Sequence, residues 1–264
     1  MMAVMTSHEV LTGMDGAVAT VTINRPAQRN ALSPAVTEGL RAAFRAARDD
    51  EDVRVVVLRG AGDRAFCAGA DLSTLGAGAG FLELHDARGE IAAVFDDLWS
   101  LGKPTIARVQ GYALAGGFGL ALACDLLVAA DDAVFGTPEI DVGLWPYMIT
   151  VPLLRAMTPK QALELMMTGR RVGADEALRM GFVNRVVPPG DLDDAVTSFA
   201  AALASKSPAV MRIGRTTFYR VVDDLATGAL PYLHSQLTIG ATLDDAREGM
   251  AAFIEKRPPH WTGR

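Results

Sequence analysis

The chain has 264 residues, half of them hydrophobic, and a net charge of −6, so its charge disfavours nucleic acid or an anionic membrane surface as a partner. No apolar run approaches the roughly 20 residues of a bilayer-spanning helix, and the N-terminus lacks the charged and apolar regions of a secretory signal. With only Cys67 and Cys124, the composition predicts a reducing compartment, by default the cytoplasm, and no disulfide framework.

The N-terminal part of the chain predicts strands alternating with helices. Residues 17–23 alternate in the manner of a half-buried strand. Ser33 and Pro34 are typical of a helix N-cap and first helical position, and we expect this helix to run to about Arg48. The apolar run at 53–59 predicts the next strand.

Two glycine-rich turns follow predicted strands, the first at residues 66–72 and the second at 111–117. The second comes after the β-prone run 105–109 and leads into a short helix predicted near 117–123. A strand that breaks at small residues before a helix leaves N–H groups unpaired at the positive end of the helix dipole, where developing negative charge is stabilised. Two such ends facing one point would form an oxyanion hole, and Glu139 would supply the proton transfer.

The remaining predicted elements change in character along the chain. Mixed signals continue to about residue 187, a break follows at 188–190, and almost only helical signals lie beyond it. We therefore expect a β/α core over 1–190 and a helical tail over 191–264, with a boundary near residue 190. The predicted elements are helices at 90–101, 158–169, 174–180, 192–204, 208–225 and 243–255, and strands at 126–130 and 182–187.

Several common site motifs do not occur in the sequence. It contains no G-x-S-x-G elbow, no P-loop and no G-x-G-x-x-G turn. The four histidines are scattered without zinc-like spacing. Neither a metal nor a nicotinamide cofactor is therefore expected.

Short motifs that are weak one by one become specific when they occur in order. They are Asn24-Arg25-Pro26, Asn30-Ala31-Leu32, the 68–72 turn, Gly111-Tyr112-Ala113 with Gly116-Gly117, Cys124-Asp125, Pro138-Glu139 and the segment 252–258. From about residue 10 to its C-terminus the chain resembles the enoyl-CoA hydratase/isomerase family, also called the crotonase superfamily. The resemblance implies an α/β fold, a crotonase-like spiral of ββα units with a C-terminal helical trimerisation region, in a homotrimer or homohexamer. It also implies an acyl-CoA substrate, with coenzyme A as part of that substrate and no separate cofactor.

The resemblance assigns catalytic roles to three residues. The backbone N–H groups of Ala70 and Gly116 match the oxyanion-hole donors for the thioester oxygen, and Glu139 matches one of the two glutamates of the hydratases. The second glutamate would fall at Gly119. Hydration needs a water at C3 and a proton at C2, whereas one carboxylate can move a double bond from position 3 to position 2. A single glutamate therefore favours isomerisation over hydration, and Gly119→Glu is expected to raise hydration.

The resemblance also implies substrate contacts. We expect CoA to run along the backbone near Ala68 and Ala70, with Arg25 and Arg29 near its phosphates and Tyr147 near the acyl pocket. The other implied contacts are Ala31, Leu32, Asp71, Leu72 and Gly117, with Phe253 and Lys256 reaching a neighbouring subunit's ligand.

Other interpretations of the same residues remain open. Glycine turns are often plain strand-to-helix corners, Glu139 alone is compatible with a solvated loop carboxylate, and Trp145 and Tyr147 with packing or subunit contacts. Cys67 has no evident partner histidine and is expected to be a small buried residue. A substitute for the missing base is conceivable among Glu83, His85 and Asp86.

Three functional hypotheses follow. The first is an enoyl-CoA isomerase or hydratase. The second is another CoA-thioester enzyme, such as a decarboxylase, hydrolase or dehalogenase, that uses residues 83–86 or Asp141. The third is a non-catalytic acyl-CoA binder, in which the missing second glutamate marks lost chemistry.

Overall fold

The computed structural model describes residues 8–71, 81–142, 144–224 and 243–264. Within these ranges it leaves out the side chains of residues 81–88, 142, 223, 224, 246, 250, 253 and 254. The expected contact Leu72 therefore lies outside the described residues, and so do the side chains of Phe253, Glu83, His85 and Asp86.

The larger of two sheets has six strands, and all but the first run parallel. Its central strands are buried along almost their whole length, which is typical of a parallel sheet covered on both faces. The strands, in spatial order, are β1 (Val10–Asp15), β2 (Val18–Ile23), β3 (Val55–Gly60), β5 (Thr105–Val109), β7 (Leu126–Ala130) and β10 (Arg185–Val187).

A second sheet consists of four short strands. β4 (Ala65–Cys67), β6 (Tyr112–Leu114) and β8 (Val134–Gly136) run parallel, and β9 (Arg171–Gly173) is antiparallel to β8. In the chain, β3, β5 and β7 of the larger sheet are each followed by β4, β6 and β8 of the smaller one. The helices α2 (Phe81–Trp99) and α3 (Gly116–Ala123) complete two of these units. This order confirms the expected spiral of ββα units.

Helices cover both faces of the larger sheet. The helix α1 (Pro34–Asp49) begins at the predicted cap, where the Ser33 hydroxyl accepts a hydrogen bond from the Val36 N–H at 3.2 Å, and it buries Leu40 and Phe44 in the main core. The later helices are α4 (Thr150–Ala156), α5 (Pro159–Thr168), α6 (Ala174–Met180), α7 (Leu192–Ala204), α8 (Pro208–Asp224) and α9 (Asp244–Glu255).

The helix α7 packs directly on the sheet. Val55 and Val57 of β3 form one buried cluster with Leu192 and Val196 of α7, whereas Leu58 belongs to the main core. Alternate residues of a strand face opposite sides, so α7 covers the face opposite to the main core. The first helix beyond residue 190 is thus a layer of the core, and the boundary expected there stays a prediction.

Asp125 ties α8 to the core. Its carboxylate accepts hydrogen bonds from Arg215 Nε at 2.8 Å and from Tyr219 Oη at 2.6 Å, and also from the Thr105 N–H at 2.8 Å. The Arg215 guanidinium also donates to the Trp99 carbonyl. The motif that contains Asp125 therefore has a structural explanation.

Most predicted elements lie close to their observed bounds. The helix expected over 90–101 begins earlier, at Phe81, because Gly89 weakens the helical pattern without ending the helix. The strand expected over 182–187 is limited to Arg185–Val187. The sequence analysis missed β1. It also missed the four strands of the smaller sheet, which have three residues each and are too short to show a period of two.

The two cysteines lie in the interior of the protein. Both cysteines are free and buried, and burial raises the pKa of Cys67 to about 12, which confirms the expectation of a small buried residue. No helix among the described residues combines the length and the apolar character that a membrane span requires.

Candidate active site

Three candidate catalytic residues follow the carboxyl ends of three adjacent parallel strands. Ala70 comes three residues after β4, Gly116 two after β6 and Glu139 three after β8. Because β4, β6 and β8 are neighbours in the smaller sheet, their carboxyl ends lie at one edge. The fold therefore brings the two glycine turns and the glutamate to the same edge.

The two turns are in direct contact. Gly69 has a φ of 93°, and a Cβ built on it would lie 2.7 Å from the Ala115 Cβ and 3.3 Å from the Gly116 nitrogen. Only glycine fits this conformation at this separation. The peptide that carries the Ala70 N–H thus lies beside the first amide of α3.

The direction of the Ala70 N–H is set by Leu32. The Leu32 N–H donates to the Gly69 carbonyl at 2.8 Å, and the Asp71 N–H donates to the Leu32 carbonyl at 3.0 Å. In a trans peptide the C=O and N–H groups point in opposite directions. Since the Gly69 carbonyl points at Leu32, the Ala70 N–H points away from it.

The second donor lies at a helix start under backbone strain. Gly116 is the first residue of α3, so its N–H precedes the carbonyls that the helix could offer it. Its neighbour Ala115 has φ 51° and ψ −129°, a conformation that non-glycine residues rarely adopt. The Ala115 N–H donates to the Gly136 carbonyl at 2.9 Å, which attaches the turn to β8.

Glu139 lies half-buried in a short helical turn, Pro138–Val142. Among the described residues its buried Oε2 has no hydrogen-bond partner. Desolvation raises the pKa of the carboxyl, against weaker opposing effects of its own backbone N–H and the positive charge of Arg171. A desolvated carboxylate with an open oxygen is a competent base, and the interpretation of Glu139 as a fully solvated loop residue is wrong.

The position at which the resemblance puts a second glutamate is filled by other side chains. Gly119 is buried in α3, and a Cβ built there would lie 2.8 Å from the Ile149 Cβ and 3.3 Å from the Phe95 Cζ. Both neighbours are only 2% exposed. The expectation that Gly119→Glu alone restores a second acid is therefore corrected, because Ile149 occupies the space.

Five of the expected substrate contacts lie in the first turn or beside it. Ala68 lies beside Arg29, whose carbonyl accepts the Ala68 N–H at 3.1 Å, and Arg29 itself is exposed. The others are Ala31 and Leu32, which are both buried, and Asp71, whose carboxylate pairs with Arg25 at 2.9 Å. Arg25 pairs with both Asp71 and Glu9, and its expected approach to a CoA phosphate stays a prediction.

The remaining expected contacts are more scattered. Gly117 is buried behind the second turn, where a Cβ would lie 2.7 Å from the Cys67 carbonyl carbon. Tyr147 is 76% exposed, and Lys256 is exposed just beyond the end of α9. Their contacts with substrate stay predictions, as does that of Phe253.

The sequence placed Asn30 in a motif without a role and did not point to Ile149. The buried Asn30 amide donates to the Ala61 and Ala65 carbonyls and so fixes the 25–32 loop to the segment between β3 and β4, just before the first turn. The Asn30-Ala31-Leu32 motif was the available signal. Ile149 gave none, because an apolar residue in an apolar segment has no distinguishing pattern.

Among the residues that the structure describes, no group of three or more His, Cys, Asp or Glu side chains could hold a metal ion.

Comparisons with known proteins agree with this geometry. The model of the enoyl-CoA hydratase/isomerase family matches residues 13–264. The probable enoyl-CoA hydratase of Mycobacterium tuberculosis is 37% identical over 261 residues, which cover 98% of this chain and 100% of that protein. The carnitinyl-CoA dehydratase of Escherichia coli K12 is 38% identical over 262 residues, covering 95% and 97%.

A solved structure extends the likeness to the backbone. The crystal structure of an enoyl-CoA hydratase from Mycobacterium smegmatis superposes with a TM-score of 0.91 at 37% identity, covering 96% of this chain and 98% of that one. The sequence match, the superposition and the meeting of both turns with Glu139 at one sheet edge lead to one conclusion. The chain belongs to the enoyl-CoA hydratase/isomerase family and is a crotonase-fold enzyme that acts on CoA thioesters.

Proposed function

We propose that this enzyme moves the double bond of a 3-enoyl-CoA to position 2. Glu139 carries the proton, and the N–H groups of Ala70 and Gly116 form the oxyanion hole. Support for this pair of donors comes from the contact between the two turns and from the direction of the Ala70 N–H, which points away from Leu32.

A single carboxylate is enough for both proton-transfer steps of this reaction. The Glu139 carboxylate takes a proton from C2, and the C2–H electrons move toward C1, so negative charge develops on the thioester oxygen. The resulting dienolate takes the same proton back at C4, and the double bond then lies between C2 and C3. The raised pKa of Glu139 makes its carboxylate a stronger base for the first step.

The observation that carries this proposal is the packing at Gly119. Hydration needs a water directed at C3 while another group delivers the proton at C2, and two carboxylates divide these tasks. Ile149 and Phe95 pack against Gly119, so a carboxylate fits there only if Ile149 moves, and the surroundings of this position form an apolar wall. An apolar wall disfavours a positioned water and leaves one carboxylate to act alone.

Hydration of a 2-enoyl-CoA is the second candidate. It is favoured by the similarity to a probable enoyl-CoA hydratase and to a carnitinyl-CoA dehydratase. In that case a base outside the described side chains, such as Glu83, His85 or Asp86, would have to direct the water.

We further propose a homotrimer or homohexamer that works in the cytoplasm, with no cofactor beyond the CoA of its substrate. Support for an assembly comes from exposed apolar side chains that lie close together in the sequence, namely Leu144, Tyr147, Val151 and Leu154. Such a patch is typical of an interaction surface. Light scattering at micromolar concentration tests it, and a monomeric mass would contradict the assembly.

The functional test uses the two isomeric substrates separately. Purified protein is incubated with a 3-enoyl-CoA and with a 2-enoyl-CoA, and absorbance and mass are followed. We expect the 3-enoyl substrate to gain the absorbance of a conjugated thioester at unchanged mass. Fast addition of one water to the 2-enoyl substrate, without isomerisation of the other, would favour hydration. Tight binding of both without turnover would favour a non-catalytic binder or other thioester chemistry.

A further inference from the structure

Arg25 is placed behind the first turn, on the side opposite to the proposed donor. Its side chain is 14% exposed. The Nη1 atom donates to the Ala31 carbonyl at 2.9 Å and pairs with Asp71 Oδ2 at 2.9 Å, while Nε pairs with Glu9 Oε1 at 3.1 Å. The guanidinium is therefore held by three groups in a fixed orientation.

The Ala31 carbonyl is the start of a chain of aligned peptide groups. Its own peptide carries the Leu32 N–H, which donates to the Gly69 carbonyl at 2.8 Å. The Gly69 carbonyl in turn belongs to the peptide that carries the Ala70 N–H. Two consecutive peptide groups thus connect the Arg25 guanidinium with the proposed oxyanion-hole donor.

This arrangement has two physical consequences. Because each trans peptide is planar, fixing its carbonyl also fixes the direction of its N–H. Hydrogen bonds in series also polarise one another, by about 10–30% per bond in condensed-phase estimates, so a charged donor at one end strengthens the donor at the other. Asp71 and Glu9 partly compensate the charge of Arg25, but the hydrogen bond that enters the peptide chain is accepted by the Ala31 carbonyl.

We propose that Arg25 is a positioning residue of the oxyanion hole, acting on the Ala70 N–H through the Ala31–Leu32 and Gly69–Ala70 peptides. The inference rests on the proposed function, in which this N–H donates to the thioester oxygen. Arg25 itself touches neither the substrate nor the reacting atoms.

The test measures the carbonyl of a bound thioester directly, without turnover. The probes are hexanoyl-CoA and hexanoyl-pantetheine, both carbon-13-labelled at the carbonyl, and the readout is the infrared carbonyl stretch in the complex. Hydrogen bonds to the oxygen lower this frequency. We expect a lowered frequency with wild type, and Arg25→Gln to reverse part of the shift for both probes.

Kinetics give the second readout. For Arg25→Gln we expect kcat to fall about 10-fold, less than the roughly 10²–10³ for complete loss of a donor, with KM nearly unchanged. Arg25→Lys keeps one charged donor and is expected to lie between wild type and Arg25→Gln. It also serves as the test variant if Arg25→Gln does not fold.

A matched control is available on α1. Arg41 pairs with Asp97 at 2.9 Å and with Glu90 at 2.7 Å, and it is likewise partly buried. Arg41→Gln is expected to lower the Tm without changing the carbonyl frequency or kcat.

Three other outcomes of these measurements would each contradict a different part of the proposal. A wild-type frequency equal to that of the free thioester would refute the oxyanion hole itself. A normal wild-type shift that is retained in both Arg25 variants would refute the role of Arg25 alone. Loss of affinity confined to hexanoyl-CoA would instead assign Arg25 to a CoA phosphate.

Discussion

The two turns that present Ala70 and Gly116 are held in place in different ways. The first is held by hydrogen bonds from a loop some forty residues earlier, through Leu32, Asn30 and Arg25. The second is held by close backbone packing, with Gly117 against Cys67 and a strained φ at Ala115. The first support is mainly polar, whereas the second combines the hydrogen bond from the Ala115 N–H to the Gly136 carbonyl with close packing.

This difference predicts different responses to substitution. A hydrogen-bonded support loses one interaction at a time, so its weakening is graded and each loss changes the donor's direction or polarity a little. A close-packed support has no intermediate state, because an added carbon must displace the neighbouring backbone. The first turn is therefore the adjustable part of the site and the second is its rigid part.

The largest effect is expected at Glu139, the proposed base. Glu139→Gln keeps the size of the side chain but cannot accept a proton, so kcat for a 3-enoyl-CoA should fall by about 10²–10⁴ with acyl-CoA affinity nearly unchanged. The matched control is Glu38→Gln, an exposed glutamate of α1, which should behave like wild type. Full activity of Glu139→Gln would mean that another group supplies the base.

Removal of the donor on the rigid side should have the next largest effect. Gly116→Pro deletes the N–H at a helical position where proline is often accepted, and kcat should fall by about 10²–10³. Gly116→Ala retains the N–H, and a Cβ there meets Leu32 Cδ1 at 3.4 Å and the Gly69 Cα at 3.9 Å, which are ordinary contact distances, so it should stay active. Equal activity of both variants, each shown to be folded by circular dichroism, would refute this donor.

The steric support itself can be broken at Gly117. Gly117→Ala would bring a Cβ to 2.8 Å from the Cys67 Cβ, so the free energy of unfolding should fall by about 3 kcal/mol, the upper part of the range for an overpacked core. In Gly214→Ala the new methyl group meets open space on α8, and the gain in helix propensity should stabilise the protein by roughly 0.5–1 kcal/mol. Urea denaturation measures both. An unchanged midpoint for Gly117→Ala would show that the second turn is as adjustable as the first.

The apolar wall beside the rigid turn offers a gain-of-function test. Gly119→Glu alone should be destabilised by about 1–3 kcal/mol, because Ile149 blocks the new side chain. Gly119→Glu combined with Ile149→Ala should relieve the overlap and add measurable hydration of a 2-enoyl-CoA, assayed by mass. Ile149→Ala alone should gain no hydration. Equal hydration by the single and the double glutamate variants would contradict the role of Ile149.

The smallest expected effect is a pH dependence of stability. Since the pKa of Glu139 is raised in the folded state, its ionisation opposes folding, and the stability present below its unfolded pKa is lost as the pH rises through the folded value. Glu139→Gln removes this loss. Its free energy of unfolding should exceed that of wild type at neutral pH, and the difference should vanish below the unfolded pKa of about 4.3. A difference independent of pH would refute the desolvation of Glu139.

Much of the fold could be predicted from local sequence. The cap at Ser33 and the helix from Pro159 to Gly169 were recognised from residue types that act within one helical turn, and the structure has both, with a capping box between Thr158 and Gln161. The strands β2, β3, β5 and β7 of the larger sheet have five or six residues and are largely buried, so their apolar patterns were clear. The strands of the smaller sheet were missed, because three residues carry too little pattern, although it is their carboxyl ends that bring the candidate catalytic residues together.

The two glycine turns, Glu139 and the missing glutamate at 119 are recognisable in the sequence, because these features are local and chemically distinctive. What surrounds them depends on the folded chain. Ile149 lies thirty positions from Gly119 and Ala31 is almost forty from Gly69, so no period or short motif connects them. Such contacts arise from packing and from the direction of peptide planes, which depend on the folded arrangement of the whole chain.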